Sequence, residues 1–289
     1  MRTAALSWMA KCGGGAALVL LACRVAAALL GGGVQMPATT TGDGSLYTLN
    51  RYFAGATPDV VLVGSSLTYR LSEAYFASTN LRNLALAGGS PVTGLAIVAH
   101  QAHPPKLILV EANVLSRPAD EALVERYSNG ASADPKFLRP IRVLVAAEEN
   151  FAHAPPSRDQ LRAELDRRLA QPPSSFDNSV YLARVLREQD EDPGAEVSAN
   201  VARMKELIAL AEQKGSHVLL FELPELPQVE RARAVGITYQ IVHAAFPDED
   251  RWLHIDVPRE ELRWADGFHL DERSALMFSR TMEKALAGR

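Results

Sequence analysis

Short apolar runs alternate with longer segments of helical periodicity along most of the chain. The clearest run, Val60–Val63, is unbroken, as expected of a strand that is buried on both faces. It ends at a Gly-Ser-Ser turn, after which apolar residues recur at helical spacing to about Ser78. Similar runs predict four further strands, at Leu81–Leu86, Leu107–Val110, His217–Phe221 and Trp252–Ile255. The pattern predicts an α/β fold with three layers, α/β/α, and a mostly parallel five-stranded sheet in flavodoxin-like order.

Residues 115–198 interrupt this alternation after the third strand. Proline pairs divide the segment, and helices are predicted near residues 138–149, 157–170 and 179–187. We interpret the segment as a helical insertion or as a lid over the strand ends. The predicted organisation is an N-terminal segment of residues 1–36, a polar linker of residues 37–57 and an α/β domain of residues 58–289.

The N-terminal segment is apolar or glycine from Cys12 to Val34, apart from Arg24, and basic residues precede it. An uncleaved signal anchor needs about 20 apolar residues, and the leucines and valines offset the cost of placing Arg24 in a membrane. A cleaved signal peptide would use the small residues Ala26–Ala28 at its cleavage site. A lipoprotein signal would instead lipidate Cys23. We favour the anchor, and all three alternatives export the downstream domain.

Composition excludes several function classes. The net charge is −4, and the chain after residue 36 has 27 basic and 34 acidic side chains. No run of basic residues is present, so the sequence argues against nucleic-acid binding. Both cysteines, Cys12 and Cys23, lie in the N-terminal segment, so the folded part has no cysteine nucleophile, cysteine zinc site or disulfide framework. His100 and His103 have a metal-compatible spacing but no evident third ligand, so we predict no metal site.

Two loops carry the candidate chemistry. The turn after the first strand places a hydroxyl at the carboxyl end of the sheet, where open α/β sheets bind ligands, and beside a helix N-terminus. We therefore predict that Ser66 is a nucleophile, with Ser65 as the less favoured alternative. A serine nucleophile needs a base and an acid that orients the base, and Asp266 and His269 supply both from one loop. Alone, that pair would more simply be a capping turn with a surface histidine.

Four short segments resemble the motif blocks of the SGNH (GDSL-like) hydrolase superfamily, in the same order. They are Gly64-Ser65-Ser66, Asn83 through Gly88, Glu111-Ala112-Asn113 and Asp266-Gly267-Phe268-His269. Together they cover most of residues 58–285 outside the insertion. The resemblance implies the SGNH hydrolase fold and a serine esterase or O-acetyltransferase that works through an acyl-serine intermediate.

The same resemblance assigns roles by position. Ser66 would be the nucleophile, His269 its general base, and Asp266 the group that orients His269. The N–H groups of Ser66 and Gly88 and the side chain of Asn113 would form the oxyanion hole. No cofactor takes part in such a mechanism.

Two positions depart from the superfamily pattern, because Ser65 replaces an aspartate before the nucleophile and Glu111 replaces a glycine of the third block. More loosely, the Gly-Ser-Ser form is similar to exported, membrane-anchored SGNH proteins of bacterial envelope polysaccharide O-acetylation, which partner membrane-bound acyltransferases. We therefore expect a glycan or acyl-ester substrate and a location on the periplasmic side of the inner membrane.

Other functions stay open at this point. Arg70 and Glu111 are candidates for substrate binding. The two departures also leave room for a non-catalytic envelope protein that binds glycans or serves as a scaffold. Glu111 and Glu222 both follow predicted strands and would suit a glycosidase, although that hypothesis leaves the serine and the Asp-x-x-His loop unexplained.

Overall fold

The computed structural model describes residues 2–30, 41–53, 55–77, 80–128, 145, 148, 151–152, 156–175 and 177–288. The chain divides into two compact units, residues 1–55 with 132–156 and residues 56–131 with 157–289. The helix predicted near residues 138–149 falls almost wholly outside the described residues.

The first unit contains the helices α1 (Arg2–Leu30) and α2 (Thr41–Phe53). Within α1, the 22 residues Ala5–Ala26 have a mean hydropathy of 1.5 and are long and apolar enough to cross a membrane. A signal sequence passes the same test, so α1 fits an anchor and a cleaved peptide equally. The segment predicted to be a polar linker is helical over the 13 residues of α2, on which Leu49 and Tyr52 are buried.

The second unit holds the sheet. Its strands are β1 (Val60–Val63), β2 (Leu81–Asn83), β3 (Leu107–Glu111) and β4 (His217–Phe221). Its described helices, in chain order, are α3 (Ser66–Tyr69), α4 (Pro91–Ala99), α5 (Glu121–Ser128), α6 (Arg158–Leu169), α7 (Ser179–Glu188), α8 (Gly194–Gln213), α9 (Pro227–Glu230), α10 (Arg233–Ala245) and α11 (Glu272–Ala287). The helices α6 and α7 confirm two of the three helices predicted in the insertion.

All four strands are parallel, in the order β2-β1-β3-β4, which confirms the α/β class. The predicted fifth strand is wrong. In the segment Trp252–Ile255, only Trp252 forms a β-bridge, to Leu220, and the backbone pairing stops after the N–H of Leu253 bonds to the Leu220 carbonyl. Beyond this point residues 222–225 and 253–257 line one cavity, so the two segments diverge instead of pairing. The carboxyl ends of the four strands meet at one edge.

Helices cover both faces of the sheet, which explains the unbroken apolar runs. Leu62 and Leu219 share a buried cluster with Phe278 of α11. Successive side chains of a strand alternate between faces, and Val63 lies on the opposite face, against α4. A Cβ on Gly94 of α4 would come within 2.8 Å of Val63 Cγ1, so this helix approaches the sheet closely.

The helix that follows β1 is much shorter than predicted. It ends at Tyr69, and a 3₁₀ turn at Glu73–Tyr75 follows instead of further α-helix. The carbonyls of Thr68 and Leu71 accept hydrogen bonds from Asn83 Nδ2, at 2.7 Å each. The N–H groups of Ser72 and Tyr75, which a continuing α-helix would direct at these two carbonyls, bond to the carbonyls of Arg70 and Ser72 instead. Contacts with β2 therefore override the helical periodicity of this segment.

Candidate active site

The two serines that follow β1 face different partners. Ser65 is fully buried, where its Oγ accepts the N–H of Leu67 at 3.2 Å and donates to Glu111 at 2.6 Å. Ser66, the first residue of α3, is half-buried and lies with its Oγ 2.8 Å from Nε2 of His269. Of the two, Ser66 is placed for chemistry and Ser65 caps the helix.

His269 connects Ser66 to a carboxylate. Its Nδ1 lies 2.7 Å from Oδ2 of Asp266, while its Nε2 faces the serine hydroxyl. An imidazole that donates from Nδ1 to the carboxylate keeps Nε2 as an acceptor for the Ser66 proton. The side chains of His269 and Asp266 are 20% and 35% exposed, so small molecules can reach them. This geometry can activate a serine as a nucleophile.

The loop that carries Asp266 and His269 is closed on itself. An antiparallel bridge pairs Trp264 with Leu270 on either side of it. Inside the loop, Oδ1 of Asp266 accepts the N–H groups of Phe268 and His269 at 3.1 and 2.8 Å. One oxygen of the carboxylate therefore holds the loop, and the other holds the imidazole.

A glycine and the insertion shape this loop. Gly267 has a φ of +86°, in the left-handed region, and a Cβ there would lie 3.0 Å from Cα of Leu182 on α7. Just before α7, Asn178 donates from Nδ2 to the carbonyl of Trp264 at 2.9 Å. The predicted insertion therefore packs directly on the loop that carries the candidate base.

The electrostatics of the loop favour an ionised Asp266. Partial burial by itself would raise the pKa of this carboxyl. Hydrogen bonds from the side chain and backbone of His269 and from the N–H of Phe268 outweigh burial and lower the pKa well below its ordinary value. An ionised carboxylate fixes the tautomer of His269 and stabilises the imidazolium that forms when the ring takes a proton.

Glu111, the last residue of β3, is fully buried and accepts four hydrogen bonds from the turn around Ser66. Its Oε2 accepts the N–H of Ser65 at 2.8 Å and the N–H and hydroxyl of Thr68 at 3.2 and 2.6 Å. A Cβ on Gly64 would lie 2.6 Å from this oxygen, so only glycine permits the approach. The predicted substrate-binding role of Glu111 is therefore wrong, and a glycosidase pair with Glu222 is excluded with it.

Asn83, at the end of β2, supports the same turn. Besides its bonds to the carbonyls of Thr68 and Leu71, its Oδ1 accepts the N–H of Ala85 at 2.9 Å. The sequence pattern did not identify Glu111 and Asn83 as supports of this turn. A lone carboxylate that ends a buried strand was the available signal, because a buried charge must be hydrogen-bonded.

In the described part of the structure, two of the three predicted oxyanion donors are available for a ligand, and the third is engaged in other hydrogen bonds. Within the described residues no hydrogen bond occupies the N–H of Ser66 or of Gly88, and Gly88 lies in a turn with a φ of 76°. Asn113 donates from Nδ2 to the carbonyl of Leu223 at 3.0 Å and to Oε1 of Glu225 at 3.3 Å. Both of its amide hydrogens are engaged, so Asn113 reaches an oxyanion only by breaking one of these bonds.

Arg70, the other predicted substrate contact, is exposed at the end of α3, one turn from Ser66. Over the described ranges, no group of three or more histidine, cysteine, aspartate or glutamate side chains is arranged to hold a metal ion.

The chain matches no family model, no curated protein and no solved structure.

Proposed function

We propose that this chain is an SGNH-type serine esterase or O-acetyltransferase that acts on acyl esters, in particular acetyl esters, of a cell-envelope polysaccharide. One observation carries the proposal. Oγ of Ser66 lies 2.8 Å from Nε2 of His269, although the two residues are 203 positions apart in sequence, and Oδ2 of Asp266 lies 2.7 Å from Nδ1 of the same imidazole.

The chemistry follows from the order of these bonds. His269 takes the Ser66 proton as Oγ attacks the acyl carbonyl, and the N–H groups of Ser66 and Gly88 stabilise the oxyanion. His269 then gives its proton to the leaving alcohol, which leaves an acyl group on Ser66. Water or a sugar hydroxyl, activated by the same histidine, removes the acyl group. Loss of one oxyanion donor typically costs about 10²–10³ in rate.

The N-terminal helix supports a location at a membrane. In the proposal α1 anchors the protein to the inner membrane of a bacterium, with the second unit on the periplasmic side. A membrane-bound acyltransferase would then be the partner that supplies acyl groups. The apolar span Ala5–Ala26 within α1 is the feature that supports this part.

Hydrolysis of p-nitrophenyl acetate by the full chain in detergent tests the proposal. Ser66→Ala and His269→Ala are expected to lower kcat by at least about 10⁴-fold. Ser198→Ala and His103→Ala change an exposed serine and an exposed histidine away from the candidate site and serve as matched controls. Equal turnover by the Ser66→Ala variant and the parent would contradict the proposal and favour a non-catalytic binding protein.

A further inference from the structure

A cavity of about 770 Å³ lies at the edge of the sheet where the strands end, and we call it the β4 cavity. Asn113, after β3, and residues 222–225, after β4, line it together with parts of α10 and residues 252–257. Its volume is typical of sites for small molecules. The ester chemistry proposed at Ser66 makes no use of it.

A stack of aromatic rings forms part of its wall. The imidazole of His243 is parallel to the ring of Trp252, with centroids 4.2 Å apart and an interplanar angle of 2°, and its centroid is 4.0 Å from that of Tyr239. Nε2 of His243 lies 3.0 Å from Oε1 of Glu222, which fixes the imidazole. Trp252 is buried, whereas Tyr239 is 54% exposed. The stack therefore presents the Tyr239 ring at the cavity on a rigid support.

Glu225 adds a polar group that lacks a partner. It is 4% exposed, and its Oε1 accepts the Asn113 amide, but within the described residues Oε2 has no hydrogen-bond partner. Burial raises the pKa of this carboxyl to about 8, so near neutral pH it carries a proton that it can donate. A buried donor without an acceptor is costly. Oε2 itself is inaccessible, so a ligand hydroxyl satisfies it when the Glu225 side chain turns toward the cavity that the residue lines.

Acidic side chains outnumber basic ones along the wall. Its ionisable lining comprises five acidic side chains, one arginine and two histidines. The acidic ones are Glu222, Glu225, Glu230, Glu249 and Asp256. Glu225 is protonated near neutral pH and Glu230 is paired with Arg259, so repulsion of a ligand carboxylate comes from Glu222, Glu249 and Asp256. A neutral or amine-bearing ligand would not be repelled.

We infer that the β4 cavity binds a sugar ring of the glycan substrate, and that this sugar is neutral or amine-bearing and not a uronic acid. The inference rests on the proposed function, whose substrate it specifies. The C–H face of a pyranose stacks on the electron-rich face of Tyr239, and its hydroxyls pair with Glu225 and the other polar groups. Two strand spacings, roughly 10 Å, separate β4 from β1, so a short oligosaccharide held in the cavity reaches Ser66.

Calorimetric titration of the full chain in detergent at pH 7 tests this inference. The probes are trisaccharides of glucose, of glucosamine and of galacturonic acid. We expect the first two to bind and the uronic acid trisaccharide to bind at least about tenfold more weakly. Tyr239→Ala should weaken binding about tenfold. Tyr239→Phe, which keeps the ring, and Tyr181→Ala, which removes an exposed tyrosine from α7 outside the cavity, should bind like the parent.

Three results would overturn the inference: no binding of any trisaccharide, tightest binding of the uronic acid, or equal binding by Tyr239→Ala and the parent. The titrations are repeated with Ser66→Ala protein, because binding in the cavity does not require the nucleophile. If the protein binds sugar but hydrolyses no ester, the proposed function fails and the inference about the cavity stands. If it hydrolyses the ester but binds no sugar, the inference fails and the proposed function stands.

Discussion

Replacing Glu111 with glutamine tests how firmly a buried carboxylate holds the turn that presents Ser66. The two side chains have nearly the same shape. The remaining oxygen of glutamine can still accept the three bonds that reach Oε2, from Ser65 and Thr68. The new NH₂ group would face Ser65 Oγ, which now donates to Oε1 at 2.6 Å, so that hydroxyl must turn and accept instead.

The magnitude follows from the change of charge. Hydrogen bonds to a charged group contribute about 1.5–3 kcal/mol, and neutral ones about 0.5–1.5 kcal/mol. The three retained bonds each weaken by about 1 kcal/mol, and the lower cost of burying a neutral group offsets part of that. We expect the free energy of unfolding to fall by about 1–3 kcal/mol. Alanine would leave four buried donors unsatisfied, a loss comparable with the stability of a whole domain, so glutamine is the informative change.

The effect on activity comes from the position of Ser66. A displacement of a reacting group by about 1 Å costs about 10²-fold in rate. We expect Glu111→Gln to lower kcat for p-nitrophenyl acetate by about 10–100-fold while KM changes little, measured by steady-state kinetics beside thermal unfolding. Glu206→Gln, at an exposed glutamate on α8, is the control. A variant that is destabilised but keeps the parental kcat would refute the reasoning.

Three further changes test the loop and the cavity. Asp266→Asn should lower kcat by about 10⁴-fold. Because the pKa of Asp266 is lowered, the parent protein keeps this side chain ionised above about pH 4, and the stabilisation that the carboxylate gives the fold is lost only as the pH falls through the lowered pKa. A variant whose kcat returns to the parental value anywhere between pH 5 and 8 would count against the orienting role of Asp266. Gly267→Ala should destabilise the fold by about 1–2 kcal/mol in thermal unfolding because of its positive φ, and an unchanged melting temperature would contradict this. In the parent, the raised pKa of Glu225 makes the fold lose stability as the pH rises from 4.5, the ordinary pKa, to about 8. Glu225→Gln removes this loss, so the variant should gain stability relative to the parent over that pH range, by at most about 1.4 kcal/mol per pH unit. A relative stabilisation that is greatest at pH 4 would contradict the direction of the pKa shift.

The elements that place the candidate site were largely predictable. The strand β4 covers the predicted residues His217–Phe221, and Pro91 begins α4 as expected of a proline at the first helical position. The Gly-Ser turn at the end of β1 selected Ser66, and the resemblance of the Asp-x-x-His loop to an SGNH block selected Asp266 and His269, which no described strand end carries.

What could not be predicted depends on contacts between distant segments. The partners of Glu111 lie 43 and 46 positions away, and a strand's apolar pattern does not show which neighbouring turn a carboxylate will contact. Asn113 could equally have faced an oxyanion or the next strand, and its bonds to Leu223, 110 positions away, decide the matter. The segment after Trp252 has the apolar pattern of a strand, but a cavity occupies the space where pairing would continue.

Formation of an acyl group on Ser66 is the most direct test of the proposed chemistry. The full chain is mixed with p-nitrophenyl acetate, quenched in acid before the intermediate turns over, and digested for mass spectrometry. We predict an acetyl adduct on Ser66 in the parent and none in the Ser66→Ala variant, which should also fail to hydrolyse the ester. Hydrolysis by that variant at the parental rate, or an adduct on another residue while Ser66 stays unmodified, would contradict the assignment.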